Sequence, residues 1–337
     1  MYQFKNNKDF GIEIEFLRPD GYTQRFIARR LSTALNNYGQ SCAVEGYNHI
    51  TRPHWKIVGD SSVSGGTYNS QRFLGNNELV SPRLKGEDGK NQLKAVLRVL
   101  VGLHCRVNVT CGIHVHHDVT DTMVKDRKSV KVFLNNLIRF MSKFEHIIYR
   151  TLSPSRLTRG WSTPAKKIFG RFGDRRNNTN INTSVRKRVQ MTISRFVNDN
   201  VDPKHERYGR GLASTSPSAT RYCGLNLKNI WTRGSVEFRY MQGSLNFEKI
   251  WSWVVFTQAI INVTEVANKV SFTGIKNDLS GIFHLRKAVG FIGSKERCED
   301  TKMANKVLLN NYKKFSASNY DRTRNNHSEG YYIRAGI

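Results

Sequence analysis

Alternating apolar and polar positions are the clearest pattern along the chain, and they predict three strands. Residues 11–16 have the sequence GIEIEF, residues 112–116 GIHVH and residues 235–240 SVEFRY. Because successive side chains of a strand point to opposite faces, each segment would bury its apolar residues on one face. The charged and imidazole side chains would then lie together on the other face. Each of these strands is therefore predicted to be half-buried.

Helical periodicity and short apolar runs account for much of the remaining sequence. Apolar residues recur every three or four positions, as in helices, in residues 22–38, 91–103, 129–152, 247–269, 278–289 and 298–315. Apolar runs that end at turn residues predict further strands at 55–58, 78–81 and 223–227. Strands in neighbouring pairs with helices between them indicate an α+β fold, in which helices pack on one face of a sheet and leave the other face open.

The composition is that of a folded protein without a membrane span. Hydrophobic residues make up 38% of the 337 residues, which is enough for a sizeable core. No apolar run reaches about 18 residues, and the first ten residues contain no apolar segment typical of a secretion signal. The five cysteines include no CxxC pair. We therefore expect reduced thiols and a cytoplasmic protein.

The charge balance predicts a polyanionic partner, such as a nucleic acid. Lys and Arg number 54 against 26 Asp and Glu, which gives a formal net charge of +28. The excess is densest in residues 153–218, where 14 basic and 4 acidic residues are interspersed with Asn, Ser and Thr. We interpret this segment as a basic insertion in a catalytic domain of residues 1–270. A basic helical C-terminal extension, residues 271–337, would follow.

The polar faces of the three alternating strands carry residue types that bind metal ions. Each strand offers two such side chains at positions i and i+2, namely Glu13 and Glu15, His114 and His116, and Glu237 and Arg239. Glu78 and Asp60 lie at the ends of other predicted strands. Carboxylates on one sheet face repel one another unless a cation lies between them. Because Mg²⁺ and Mn²⁺ prefer oxygen ligands and retain substrate phosphates, the sequence predicts a metal–nucleotide site.

Six motifs between Phe10 and Lys269 occur in an order that resembles one known family. They are FGIEIEF, WKIVGDSSV, NELVSPRL, CGIHVHHD, RYCGLNL and SVEFRYMQGSL. Together they resemble the amidoligase family, including its phage members, which are carboxylate–amine ligases with the fold of glutamine synthetase and glutamate–cysteine ligase. The resemblance implies a curved antiparallel sheet with ATP and divalent ions on its open face. It also implies an activity, in which ATP phosphorylates a carboxylate and an amine then forms an amide.

The resemblance assigns roles to the matching positions. The metal ligands would be Glu13, Glu15, Glu78, His114 and Glu237. In catalysis, Glu78 would lie near the acyl phosphate, Glu237 would bind the metal ion that bridges the nucleotide phosphates, and Arg239 would stabilise the transferring phosphoryl group. Residues that would contact the nucleotide or substrate are His114, His116, Arg239, Tyr222, Asn226 and Arg221. The turn Asp60–Ser62 departs from the Asp-Gly-Ser of the family, which leaves the role of Asp60 open.

Two other functions remain open at the level of sequence. The chain could be a non-catalytic nucleic-acid-binding protein on a ligase-like fold, or a metal-dependent nuclease. A complete set of metal ligands favours the ligase, because an inactive protein has no physical reason to keep repelling carboxylates together. The carboxylate and amine substrates are not fixed by the fold. We expect structural roles for His117, Cys111 and Cys223, and a polyanion as the partner of residues 153–218.

Overall fold

The computed structural model describes residues 8–158, 162, 223–227, 229–230, 233–270, 278–293 and 297–316. Its larger helices are α1 (Gln24–Leu35), α2 (Gly86–Gly102), α4 (Arg127–Arg150), α6 (Phe247–Val266), α7 (Leu279–Ala288) and α8 (Glu299–Ser316), and its short ones are α3 (Thr120–Met123) and α5 (Ser155–Thr158). A 3₁₀ turn (Asn36–Tyr38) continues α1. Each of the six predicted helices is present, with ends that differ from the prediction by a few residues.

A seven-stranded sheet forms the centre of the fold. Its strands, in spatial order, are β3 (Cys42–Val44), β4 (Trp55–Val58), β7 (Glu78–Val80), β1 (Phe10–Glu15), β8 (Gly112–Asp118), β10 (Ser235–Gln242) and β9 (Leu225–Asn226). A smaller sheet, which the sequence pattern did not predict, contains β2 (Arg18–Pro19), β6 (Gln71–Leu74) and β5 (Gly66–Tyr68). The α+β class is confirmed.

The sheet differs in one place from the antiparallel arrangement that the resemblance implied, because it is mixed. Strands β3 and β4 pair in parallel, with Cys42 opposite Trp55. Two adjacent parallel strands cannot be joined by a tight hairpin, so the chain needs a long connection between them. Residues 45–54, which we call the β3–β4 loop, provide this connection.

Helices cover the apolar face of the sheet, as expected. Phe10 of β1 packs edge-on against Trp251 of α6, with 5.8 Å between ring centroids. The indole nitrogen of Trp55 donates a hydrogen bond to Gln92 of α2 at 3.1 Å. Helix α6 is buried along nearly its whole length and lies between the sheet and other helices. The polar side chains at alternating strand positions lie on the opposite face, which we call the open face, away from α2 and α6.

The C-terminal helices are part of the same core. In α8, Ala304, Leu308 and Tyr312 belong to the buried apolar cluster that includes α6. Phe291, which follows α7, packs against Phe256 with 6.1 Å between ring centroids. These two helices therefore complete the packing around α6. None of the described helices combines the length and apolar character needed to cross a bilayer.

Candidate active site

Strand register brings the predicted carboxylates and imidazoles together on the open face. Glu15 lies opposite Glu78 of β7, and Glu13 lies opposite His114 of β8. On the other side of β8, Glu237 lies opposite His116. Because these residues hold alternate positions on adjacent strands, their side chains share one face. The structure thus joins five predicted metal ligands from four separate parts of the chain.

The five ligands form two groups that share His114. In the first group, ligand atoms of Glu13, His114 and Glu237 all lie within 4.8 Å of one another. In the second group, the same limit holds for Glu15, Glu78 and His114. Carboxylate oxygens with a single imidazole nitrogen match the preferences of Mg²⁺ and Mn²⁺. The chemistry and spacing of both groups therefore fit divalent ions.

Hydrogen bonds and close polar contacts link the ligands of both groups. His114 Nδ1 lies 2.8 Å from Glu13 Oε2, and its Nε2 lies 3.5 Å from Glu15 Oε1. The other oxygen of Glu15 accepts a hydrogen bond from the backbone N–H of Gly112 at 2.6 Å. His116 Nε2 is 3.3 Å from Glu13 Oε1. The imidazole of His114 therefore faces one carboxylate of each group.

Glu237 is fixed by two neighbours on β9 and β10. Asn226 Nδ2 donates to Glu237 Oε2 at 2.6 Å, and Arg239 Nη1 donates to Oε1 at 2.5 Å. Asn226 therefore contacts Glu237 on this face, and its predicted contact with nucleotide or substrate stays a prediction. Arg221 and Tyr222, which the sequence also suggested, lie outside the described residues.

Crowding on the open face moves the pKa values of its carboxyl groups in different directions. Burial, followed by the charges of Glu13 and Glu15, raises the pKa of Glu78 well above its usual range. Burial also raises the pKa of Glu15. For Glu13, desolvation is outweighed by His114 and His116, which hold the pKa well below its usual value. The face therefore carries more carboxylates than its own imidazoles neutralise.

Asp60 lies close enough to this face to act on it electrostatically. Its charge contributes to the raised pKa values of Glu15 and Glu78. Its Oδ1 accepts a hydrogen bond from the N–H of Ser62 at 2.8 Å, which closes the turn after β4. Asp60 belongs to neither three-residue group. Its hydrogen bond with Ser62 stabilises the turn.

Lys56 is a residue of this face that the sequence pattern did not reveal. It lies opposite Val80 of β7, and its side chain is 2% exposed. Its Nζ donates to Asn48 Oδ1 at 2.6 Å and to the Ile50 carbonyl at 2.8 Å. Lys56 therefore fixes the β3–β4 loop over one edge of the open face. Lys56 was not predicted as a site residue, because its neighbours in the run Trp55–Val58 are apolar.

A cleft opens beside the carboxylates, beneath the β3–β4 loop. Its lining includes residues 48–51 of the loop and Glu13, Glu78 and His116 of the open face. Arg233, which precedes β10, donates a hydrogen bond to the His49 carbonyl across the cleft. The cleft thus places space for a small molecule directly next to both metal-binding groups.

Arg156 is a second residue that sequence reasoning missed as a site residue. It follows α4, at the start of the predicted basic insertion, yet it is only 4% exposed. Its Nε donates to the Tyr240 carbonyl at 3.1 Å and its Nη2 to the Arg239 carbonyl at 2.7 Å. The remainder of the predicted insertion, apart from neighbouring residues up to 158 and residue 162, lies outside the described residues.

The expected structural residues are buried away from the open face. His117 is on the helical side of β8, where its Nε2 lies 2.7 Å from Thr257 Oγ1. Burial, with smaller contributions from His116 and Lys8, lowers the pKa of His117 to about 3. Burial raises the pKa of Cys111 and of Cys223 to about 12, so both thiols stay protonated at neutral pH. The predicted structural roles of these residues agree with their positions.

One family of known proteins matches most of the chain. Its model, described as "Putative amidoligase enzyme", matches residues 6–261, a range that contains every strand of both sheets. No curated protein is significantly similar in sequence. A similar solved structure is that of the complex between the prokaryotic ubiquitin-like protein Pup and its ligase PafA, at 11% identity and a TM-score of 0.34. The alignment covers 93% of this chain and 63% of the matched chain in that structure. This chain therefore spans less than two thirds of the length of the matched chain.

Proposed function

This chain belongs to the amidoligase family, and on that premise we propose that it is an ATP-dependent carboxylate–amine ligase. The resemblance of the six motifs to this family is thereby confirmed. In the proposed reaction, ATP transfers its γ-phosphoryl group to a substrate carboxylate. An amine then attacks the acyl phosphate and gives up a proton to solvent as the C–N bond forms, and orthophosphate leaves as the C–O bond breaks.

One observation supports this proposal above the others, namely the two ligand groups that share His114 on an open sheet face. A divalent ion bound by Glu13, His114 and Glu237, or by Glu15, Glu78 and His114, would neutralise phosphate charge next to the reacting carboxylate. Because a neutral imidazole has one free nitrogen, His114 would bind the ion of one group only. The carboxylates that crowd this face have little other physical reason to lie together, because each raises the cost of ionising its neighbours.

The protein itself supplies positioning and fixed charge. Phosphoryl transfer needs little covalent participation by protein groups, so orientation and stabilisation of negative charge account for most of the catalysis. Arg239 lies beside Glu237 and would stabilise charge on the transferring group. Asn226 holds the other oxygen of Glu237 and so fixes the direction of that carboxylate. The cleft beneath the β3–β4 loop would orient a substrate against this face.

ATP turnover in the presence of Mg²⁺ or Mn²⁺, with pools of candidate amines and carboxylates, tests the proposal. Glu237→Gln and Arg239→Ala are expected to lower turnover by about a hundredfold or more, because each removes charge that acts on the phosphates. Glu248→Gln, which changes an exposed carboxylate in the first turn of α6, is the matched control. Mass spectrometry of the products should detect a new amide. Unchanged turnover in both site variants would contradict the ligase.

The net charge supports a second proposal, concerning where the ligase acts. We propose that it works while bound to a nucleic acid or another polyanion, because the excess positive charge is far larger than the active-site face requires. Binding to duplex DNA, single-stranded DNA and RNA should weaken steeply as salt is raised. Absence of binding at moderate salt would contradict this proposal. Salt-dependent binding without ATP turnover would instead favour a non-catalytic nucleic-acid-binding protein.

A further inference from the structure

We propose that Arg156 is a second arginine of the active site, whose guanidinium binds an anionic oxygen of the ligand beside the Glu15–Glu78–His114 group. This inference rests on the proposed function, because it concerns the same reaction. The ligand oxygen belongs to the substrate carboxylate or to the phosphoryl group that the carboxylate receives.

Arg156 reaches the open face because β10 is irregular next to it. The pairing of β10 with β8 shifts register between Phe238 and Met241. Arg156 donates hydrogen bonds to two carbonyls in this irregular stretch, those of Arg239 and Tyr240. Ser153, just before α5, adds a further contact through its N–H, which donates to Gln242 Oε1 at 3.2 Å. The bulge thus provides the acceptors that fix the guanidinium in place.

The absence of a side chain at Gly112 lets Arg156 approach strand β8. A Cβ atom at this position would lie 3.3 Å from each terminal nitrogen of Arg156. It would also lie 3.3 Å from Nε2 of His114. The guanidinium and the shared imidazole therefore flank the same point on the open face, and the backbone N–H at that point donates to Glu15. Arg156 is consequently next to the second ligand group.

Direct contacts neutralise the charge of Arg156 less than that of Arg239. Arg239 is paired directly with Glu237, at 2.5 Å. Both acceptors of Arg156 are neutral carbonyls, and no described carboxylate oxygen lies within ion-pair distance of its guanidinium. A buried cation that is held by neutral groups attracts an anion more strongly than one already neutralised by a carboxylate. Arg156 therefore makes no direct ion pair with a described carboxylate and is placed to bind an incoming anion.

Calorimetric binding of Mn²⁺, and of orthophosphate or acetate to the Mn²⁺-loaded protein, tests this role. Arg156→Gln is expected to weaken orthophosphate or acetate binding by about tenfold or more, because a charge-assisted hydrogen bond is lost. The same variant should bind Mn²⁺ severalfold more tightly, because a positive charge next to the carboxylates is removed. Arg156→Lys, which keeps the charge, should bind Mn²⁺ like the wild type and bind the anion with intermediate affinity.

These opposite effects separate an anion-binding role from a purely structural one. If Arg156 only stabilised the bulge, Arg156→Gln would weaken the binding of Mn²⁺ and of the anion together, and that result would overturn the proposal. Unchanged anion binding would overturn it as well. The control is Arg286→Gln, which removes an arginine that donates to Asn305 in the helical layer. It should change neither affinity.

The wild-type measurements distinguish failure of this inference from failure of the ligase. If the wild type binds no Mn²⁺, both proposals fail. If it binds Mn²⁺ and the anion but Arg156→Gln behaves like the wild type, only the role of Arg156 fails. A larger loss of affinity for orthophosphate than for acetate in Arg156→Gln would assign Arg156 to the phosphoryl group, whereas a larger loss for acetate would assign it to the substrate carboxylate.

Discussion

Single residues on the open face were predictable where a strand pattern marks them. Glu13, Glu15 and His114 stand out because polar residues at alternate positions interrupt apolar ones. No sequence pattern indicates Arg156, because its position depends on hydrogen bonds to carbonyls in the irregular part of β10, which is distant in sequence. Lys56 was missed for a related reason, since a lysine in an apolar run gives no sign of the loop oxygens that it binds.

His117 should make stability depend on pH. Burial lowers the pKa of His117 to about 3 in the folded protein, whereas a histidine in an unfolded chain has a pKa of ~6.5. Its contribution to stability is therefore complete above pH ~6.5 and is lost as the pH falls toward 3. Between pH ~7 and ~5, the wild type should lose about 2 kcal/mol more of its free energy of unfolding than His117→Gln does.

Urea unfolding at the two pH values, in the presence of a chelator, measures this difference. The chelator removes any contribution from metal binding to the neighbouring carboxylates. Wild type and His117→Gln that lose the same free energy over this interval would show that the imidazole is not held neutral by its burial against Thr257.

At the level of elements, periodicity predicted the helices and the central strands but not all of the pairings. Strands β1, β7, β8 and β10 could be located because each has a buried face. The parallel pairing of β4 with β3 and the small second sheet could not be predicted, because the strands are short and their pairing is set by contacts distant in sequence. The register that aligns the metal ligands is likewise a property of the assembled sheet.

Strand β9 depends on a glycine for its contact with β10. A Cβ atom at Gly224 would overlap the ring of Tyr240. Gly224→Ala should therefore lower the free energy of unfolding by about 1–3 kcal/mol. It should also weaken Mn²⁺ binding, because Asn226 on β9 would no longer hold Glu237.

Gly102→Ala is the matched control for this substitution. Nothing lies within 4 Å of an added Cβ at this position, which is the last residue of α2. Because alanine favours the helix, this variant should be as stable as the wild type or more stable by up to about 1 kcal/mol. Urea denaturation of both variants measures the difference, and equal stabilities would contradict the close contact between β9 and Tyr240.

At the scale of the whole molecule, the C-terminal helices are needed to close the core around α6. The sequence suggested an extension to a catalytic domain, and the family match ends at residue 261. The side chains of α8 nevertheless lie in the same buried cluster as those of α6. Amphipathic periodicity alone could predict that these helices have an apolar face, but it could not identify the surface that they cover.

Leu308→Ala tests this packing. The side chain is 5% exposed, so its truncation should lower the free energy of unfolding by about 2–5 kcal/mol. Lys306→Ala, on the exposed side of the same helix, should change it by less than about 0.5 kcal/mol. Thermal or urea unfolding compares the two. If Leu308→Ala is as stable as Lys306→Ala, α8 would have to be regarded as an appendage.

The carboxylate face in a molecule of net charge +28 has a consequence for the order in which ligands arrive. At a distance the molecule attracts anions and repels free divalent cations, whereas close to the open face these preferences are reversed. A nucleotide that already carries its cation is still an anion, so the molecule attracts it at a distance. The same complex also brings the cation that the carboxylates bind at close range. The proposed ligase would therefore capture the metal–nucleotide complex faster than either component alone, at a rate that falls as ionic strength rises.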